Sequence, residues 1–137
     1  MPLIPLALVL APVAAQAAEA VQPTQVIEQT FLKAAPGERA NLIRYIEANW
    51  FAADARAVKR GLFTSYALLE ATDPGADWDV VVAVGYPGLL GYDEPGTAAA
   101  FDEIRRALPV VLIDGKGLQQ LGRIVASRRL RLGTHHP

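Results

Sequence analysis

One stretch decides the fold of this chain: Trp78-Asp79-Val80-Val81-Val82-Ala83-Val84-Gly85-Tyr86. Its central run, residues 80–84, is apolar throughout and β-branched at four of five positions, which predicts a strand covered on both faces. Turn residues stand on both sides, with Asp, Pro and Gly at 73–75 and Pro and Gly at 87–88. We therefore expect an interior strand around which the flanking segments pack as layers.

The chain before this strand begins with two amphipathic segments. Gln25 to Lys33 alternates between apolar and polar residues, which predicts a first strand. The segment Pro36-Gly37-Glu38 is typical of a helix start, and apolar residues then recur at three- and four-residue steps. We expect this helix to stop or kink near Asp54, a residue able to cap a second helical piece, and to end at Gly61.

The segments around the central strand complete the order of elements. Leu62 to Ala71 alternates and predicts a second strand, which a short loop joins to the central strand as a hairpin. After a glycine-rich connection, Thr97 is a candidate cap for a second helix that Pro109 ends. The last segment, Arg123 to Leu132, predicts a final strand, and a helix over residues 118–131 is the rival interpretation.

The resulting order is strand, helix, strand, strand, helix, strand, which is a split βαβ repeat of the ferredoxin-like kind. Right-handed crossovers place both helices on one face of an antiparallel sheet. Because the central strand is apolar on both sides, the second sheet face needs a cover as well. We expect an α+β domain, residues 21–137, that forms a homodimer through this face.

The N-terminal residues 1–20 have the pattern of a secretory signal peptide. An apolar run over residues 3–10 is too short to span a bilayer and is followed by alanines. We expect cleavage after Ala17 or after Ala20, and a periplasmic or secreted protein without a membrane anchor. The segment before the apolar run lacks Lys and Arg, so an apolar N-terminal strand or anchor is the alternative.

Composition and charge exclude several kinds of site. The chain contains no cysteine, so disulfides, thiolate metal sites and cysteine nucleophiles are excluded. The two histidines, His135 and His136, end the chain, and we expect a disordered tail there rather than a metal site. Residues 85–96 lack the spacing of a phosphate-binding loop, so we expect no cofactor.

Charge is unevenly distributed along the chain. The residues before Lys116 carry a net charge of −6, whereas those from Lys116 onward carry five basic and no acidic side chains. Such a basic end is typical either of a nucleic-acid or lipid contact or of a solvated edge strand. We expect the edge strand, with no nucleic-acid partner, because the run lacks interleaved aromatic residues.

Six polar and aromatic residues are candidates for a ligand site. A pocket needs apolar walls with a few polar groups, and Trp and Tyr supply both in one side chain. If strands two and three pair in an even register, three of the candidates, Tyr66, Trp78 and Tyr86, share one sheet face. The alternative is that they are core aromatics. The candidates are Arg44, Asn49, Trp50, Tyr66, Trp78 and Tyr86.

A carboxylate at the start of the central strand is the candidate for acid–base chemistry. Asp79 should point away from Trp78, and burial beside apolar residues would raise the pKa of its carboxyl. The alternative is a strand-end carboxylate that pairs with an arginine or caps a neighbouring backbone group.

The chain resembles the dimeric α+β barrel superfamily, in which two ferredoxin-like domains close their sheets into a shared barrel. The resemblance covers Gln25 to Leu132 and is carried by residues 42–51, residues 61–66 and the Trp78-Asp79 pair. Within this superfamily, the chain is similar to exported bacterial members without an assigned activity. The superfamily includes cofactor-free monooxygenases that bind a polycyclic phenol among Asn, Trp, Tyr and Arg side chains, and haem-degrading enzymes that use an axial histidine.

These observations together predict an exported dimer that binds a small apolar or aromatic molecule. A cofactor-independent monooxygenase or isomerase is the second hypothesis, and a structural interaction module is the third. A widely shared fold does not choose between them.

Overall fold

The computed structural model of the chain describes residue 2 and residues 22–137. Four strands form one antiparallel sheet in the order β2-β3-β1-β4. The predicted interior position of the central strand is confirmed, because β3 pairs with a strand on each side. The strands are β1 (Val26–Ala34), β2 (Ser65–Glu70), β3 (Val80–Tyr86) and β4 (Gly122–Arg131).

Helices cover one face of this sheet, and the predicted β-α-β-β-α-β order is confirmed. Two helices are joined by a π-helical segment, and a 3₁₀ turn precedes the third. The helical elements are α1 (Arg39–Tyr45), the π segment (Ile46–Trp50), α2 (Phe51–Lys59), the 3₁₀ turn (Gly91–Asp93), α3 (Thr97–Arg106) and α4 (Leu118–Leu121).

The strand register decides which residues face the helices. Val80 and Val82 lie on the helix side and are 0% and 3% exposed, while Val81 lies on the other side. Leu32 of β1 pairs with Val80 and is fully buried. The core lies between the sheet and the helices, because alternate residues of the two central strands point there together.

The first helix differs from the expected stop near Asp54. The helical course continues to Lys59, and its irregularity lies earlier, where the amide of Phe51 donates to the carbonyl of Ile46. That bond spans five residues and makes one wide π turn. The Asp54 side chain is buried rather than capping a helix start.

The predictions for the second half of the chain are mostly confirmed. Residues 122–131 form a strand, and the rival helix exists only over Leu118–Leu121. The expected cap by Thr97 is wrong, because Gly96 holds the cap position with φ of 85° and Thr97 is the first helical residue. A positive φ is readily adopted by glycine, so no side-chain cap is needed there.

The second face of the sheet bears no helix within residues 22–137. We call this surface the open face. Leu69 and Leu130 on it are 51% and 45% exposed, and Trp78 packs edge-on against Phe31 at 5.2 Å between ring centroids. The register places five large apolar side chains here: Ile27, Phe31, Leu69, Val81 and Leu130.

The predicted signal peptide, residues 1–20, lies outside the described residues except for Pro2. Among the residues that the structure describes, no helix is long and apolar enough to cross a bilayer.

Candidate functional site

A cavity of about 360 Å³ lies between the helix side of the sheet and the helices. Its floor is formed by Thr30 of β1 and by Val82 and Val84 of β3. We call this space the cavity. Six aromatic side chains from different elements line it: Tyr45, Trp50, Phe63, Tyr86, Tyr92 and Phe101.

Four of the six rings in this aromatic wall pack on one another. Phe63 contacts Tyr86 at 4.9 Å and Phe101 at 4.8 Å between ring centroids. Tyr92 meets Phe101 edge-on at 6.1 Å. These separations are typical of favourable aromatic pairs, so the wall is held in shape by its own packing.

The π segment supplies the other side of the cavity. Asn49 and Trp50 stand at its end, and the wider turn changes the direction in which these side chains leave the helix. The Asn49 amide nitrogen donates to the carbonyls of Tyr45 at 3.0 Å and Val111 at 2.8 Å, and its oxygen accepts from the Val111 amide at 2.7 Å. These hydrogen bonds from Asn49 hold the segment around Val111 at the rim of the cavity, and Pro109 of the same segment lines the cavity.

Asp54 is the buried carboxylate of the cavity. It lies on α2, lines the cavity and is 5% exposed. Burial raises the pKa of its carboxyl to about 7, because the charged form loses its contact with water. Within residues 22–137 its carboxylate forms no ion pair with Lys, Arg or His.

Tyr86 lies on the floor beside this carboxylate. Burial raises the pKa of its hydroxyl far above the ordinary range, and the carboxylates of Glu28 and Asp54 raise it further. The hydroxyl therefore keeps its proton at every physiological pH.

Glu28 of β1 lies behind Tyr86 and is held by two other elements, the 3₁₀ turn and β4. Its Oε2 accepts from the Tyr92 amide at 2.8 Å, and its Oε1 accepts from Arg129 Nε at 3.0 Å. Arg129 Nη2 also donates to Asp93 Oδ2 at 2.6 Å. This network ties β1 and β4 to the 3₁₀ turn, so it fixes the position of Tyr92 at the cavity.

The backbone of this turn explains one glycine. Gly91 has a φ of 56°, and an added Cβ would lie 2.8 Å from Glu28 Oε2. Only glycine combines that conformation with such a close approach to the carboxylate.

The structure brings three of the six predicted site residues together. Asn49, Trp50 and Tyr86 line the cavity. The other three lie elsewhere: Arg44 is exposed and donates to Asn41 at 3.1 Å, Tyr66 packs against Phe51 at 4.9 Å, and Trp78 contacts the open face.

The expected common face holds for two of three aromatic residues. Tyr66 pairs with Val84 and shares the helix side with Tyr86, as an even register requires. Trp78 instead packs against Phe31 on the opposite side. It precedes the first residue of β3, so the alternation of strand side chains does not extend to it.

Asp79 pairs with basic side chains and accepts from a backbone amide, which is the alternative that the sequence left open. Its Oδ2 accepts from the Ala34 amide at 2.8 Å, and its Oδ1 lies 3.6 Å from Lys33 Nζ and 3.8 Å from Arg39 Nη1. It pins the end of β1 to the start of β3, and it is absent from the cavity lining.

The sequence reasoning missed Asp54 as a site residue. The signal was present, because Asp54 falls four residues after Trp50 and next to Ala53, inside the apolar stripe of the helix. A lone carboxylate on an apolar stripe is expected to be buried. Glu28 and Tyr92 carried no comparable signal, because their roles depend on the strand register.

No group of acidic or histidine side chains within residues 22–137 has the arrangement of a metal site. The Asp54 carboxyl on the cavity lining is a group that can form hydrogen bonds, pair with a cation and exchange a proton.

Comparison with solved structures bears on the fold. A dimeric ferredoxin-like protein from an uncultured marine organism is 9% identical, with 87% of this chain and 96% of that chain covered and a TM-score of 0.52. This chain has a ferredoxin-like fold. No protein-family model matches it, and no curated protein matches its sequence.

Two further solved structures are more distant in shape. A dimeric ferredoxin-like protein of unknown function from Bacteroides fragilis is 14% identical, covering 79% of this chain and 96% of its own, with a TM-score of 0.46. SnoaB, a cofactor-independent oxygenase from Streptomyces nogalater, is 16% identical over 84% of this chain and 97% of its own, with a TM-score of 0.35. At such values these likenesses say nothing about the activity of this chain.

Proposed function

We propose that the protein binds a small, mainly aromatic molecule in the cavity. The observation that carries this proposal is a preformed space of about 360 Å³ with six aromatic side chains on its wall. Ligand sites of proteins are commonly apolar cavities of this size with few polar groups. The polar groups here include Asp54, Thr30 and Arg105.

The proposed working form is a homodimer that pairs the open face of two copies. Leu69 and Leu130 on this face are about half exposed in a single copy, and an exposed apolar sheet face favours association. The marine protein that shares the fold is described as dimeric, which supports the same assembly here. The cavity lies on the other side of the sheet, so ligand and partner do not compete for one surface.

Export is the part of the proposal that rests on the sequence. Residues 1–20 have the signal-peptide pattern, with cleavage after Ala17 or Ala20. A mass measurement on protein from the exported fraction should show a chain that starts at Ala18 or Val21. A chain that still begins with Met1 would refute export by this route.

Tryptophan fluorescence tests ligand binding because the chain has two tryptophans in different places. Trp50 lines the cavity, whereas Trp78 lies against the open face. In the Trp78→Phe variant, quinoline should quench the remaining emission along a saturating curve. In the matched Trp50→Phe variant we expect only the linear quenching of random collisions. Linear quenching in both variants would reject the cavity as a binding site for aromatic molecules.

A second candidate function is cofactor-independent oxygenase or isomerase chemistry in the same cavity. Asp54 favours it, because a carboxyl with a pKa of about 7 is suited to take and return a proton at neutral pH. Oxygen uptake or solvent deuterium incorporation with a bound ligand, lost in Asp54→Asn, would establish turnover. Binding with neither signal would leave the protein as a binding module.

A further inference from the structure

We infer that the ligand is an organic ammonium ion, whose charge pairs with the Asp54 carboxylate inside the aromatic wall of the cavity. This inference rests on the proposed function, because it names the chemical class that the same cavity takes.

The first observation is that the buried carboxyl of Asp54 has no cationic partner within residues 22–137. Asp54 is 5% exposed and lines the cavity, yet no cationic side chain within residues 22–137 pairs with its carboxylate. Buried carboxylates are normally paired with a cation or fully hydrogen-bonded. The Asp54 carboxyl therefore has no cationic partner among these residues, and a ligand in the space beside it would supply one.

The second observation is the wall that faces this carboxylate. Trp50 and Tyr92 line the same space as Asp54, next to Phe101, whose ring already has the Arg105 guanidinium 5.5 Å from its centroid. Aromatic faces attract cations through the negative side of their quadrupole, and cages of such rings recognise ammonium ligands. A neutral aromatic ligand would use the wall but leave the carboxylate unpaired.

The other charged and titratable groups around Asp54 do not supply its counterion. Tyr86 from β3, Tyr45 from α1 and Tyr92 from the 3₁₀ turn line the cavity. Glu28 of β1 lies behind Tyr86, and its carboxylate is paired with Arg129. Arg105 of α3 is the cation on the lining. Its guanidinium pairs with Asp102 and lies 5.5 Å from the Phe101 ring centroid, so it does not neutralise Asp54.

This pairing makes binding depend on pH in a defined direction. Burial raises the pKa of Asp54 to about 7 in the free protein, and a bound ammonium group lowers it again. An ammonium ligand should therefore bind more tightly as pH rises through 7. Below that pH, binding should release a proton from Asp54.

Calorimetry with three isosteric probes tests the inference on the full chain. The probes are 2-phenylethylamine as the cation, 2-phenylethanol as the neutral analogue and phenylacetate as the anion. At pH 8 we expect the amine to bind about tenfold more tightly than the alcohol, and phenylacetate to bind most weakly. Between pH 8 and pH 5.5 the affinity for the amine should fall by about thirtyfold, the change in the ionised fraction of a group with a pKa near 7.

Variants and buffers separate recognition from folding. Asp54→Asn should remove the preference for the amine and keep binding of the alcohol, while Asp77→Asn, an exposed carboxylate outside the cavity, should keep the preference. If Asp54→Asn does not fold, the unaltered protein still decides the matter. Its heat of binding at pH 6 in two buffers of different ionisation enthalpy should report release of a proton.

The outcomes also distinguish this inference from the proposed function. Equal affinity for amine and alcohol in the unaltered protein, or tighter binding of phenylacetate, would overturn the ammonium assignment and keep the aromatic cavity. Failure of all three probes together with linear quinoline quenching would overturn the cavity itself.

Discussion

Replacing Asp54 by Asn should remove the loss of stability that this carboxyl causes as pH rises. The pKa of the carboxyl rises from its ordinary 3.8 to about 7 on folding, so the folded state binds the proton more tightly than the unfolded state. The contribution of Asp54 to the free energy of unfolding is therefore fully present below pH 4 and is lost as pH rises to 7. A change from 3.8 to about 7 corresponds to about 4 kcal/mol of lost stability above pH 7.

The variant keeps the shape of the side chain and removes its charge. An asparagine at this site adds a buried amide, which costs about 1–3 kcal/mol where its groups lack partners. We therefore expect Asp54→Asn to be slightly less stable than the parent at pH 4 and more stable at pH 8. The difference in the free energy of unfolding between the two proteins should change by about 4 kcal/mol across that range.

Urea unfolding followed by circular dichroism at pH 4, 6 and 8 measures this difference. Protein concentration must be held constant, because association would add to the apparent stability. Asp77→Asn is the matched control, since it removes an exposed carboxylate and should show no comparable gain at pH 8. A difference between Asp54→Asn and the parent that does not vary with pH would refute the buried, unpaired state of this carboxylate.

Three further substitutions test other parts of the structure. Phe31→Asp places a charge on the open face and should convert a dimer into a folded monomer, as measured by light scattering and circular dichroism. Asn49→Ala removes two hydrogen bonds to Val111 and should lower the free energy of unfolding in urea by about 2 kcal/mol. An unchanged midpoint would contradict the structural role of Asn49. Gly91→Ala should cost about 1–3 kcal/mol and exceed the cost of Gly37→Ala, whose added Cβ meets nothing within 4 Å.

The order of elements could be predicted because each has a strong local pattern. The run at 80–84 is too uniformly apolar for an edge strand, and the alternation at 25–33 has the period of a half-buried strand. Pairing these strands then follows from the connection rules of the fold. An even register between strands two and three predicts Tyr66 and Tyr86 on one side of the sheet, and the observed pairing puts them there.

The site was harder to predict because it depends on positions outside regular elements. Trp78 was assigned by alternation although it lies just before β3, where alternation does not apply. Asp54 was interpreted as a helix break, whereas the irregular turn lies at residues 46–50 and leaves Asp54 on the buried stripe. The contact between Glu28 and Arg129 joins residues 101 positions apart and follows only from the β1–β4 register.

A crystal structure of the protein grown with 2-phenylethylamine would test the central claim most directly. We expect the aromatic ring between Trp50 and Phe101, and the ammonium nitrogen about 3 Å from an Asp54 carboxylate oxygen. The same amine seated on the open face, with the cavity holding only water, would contradict it.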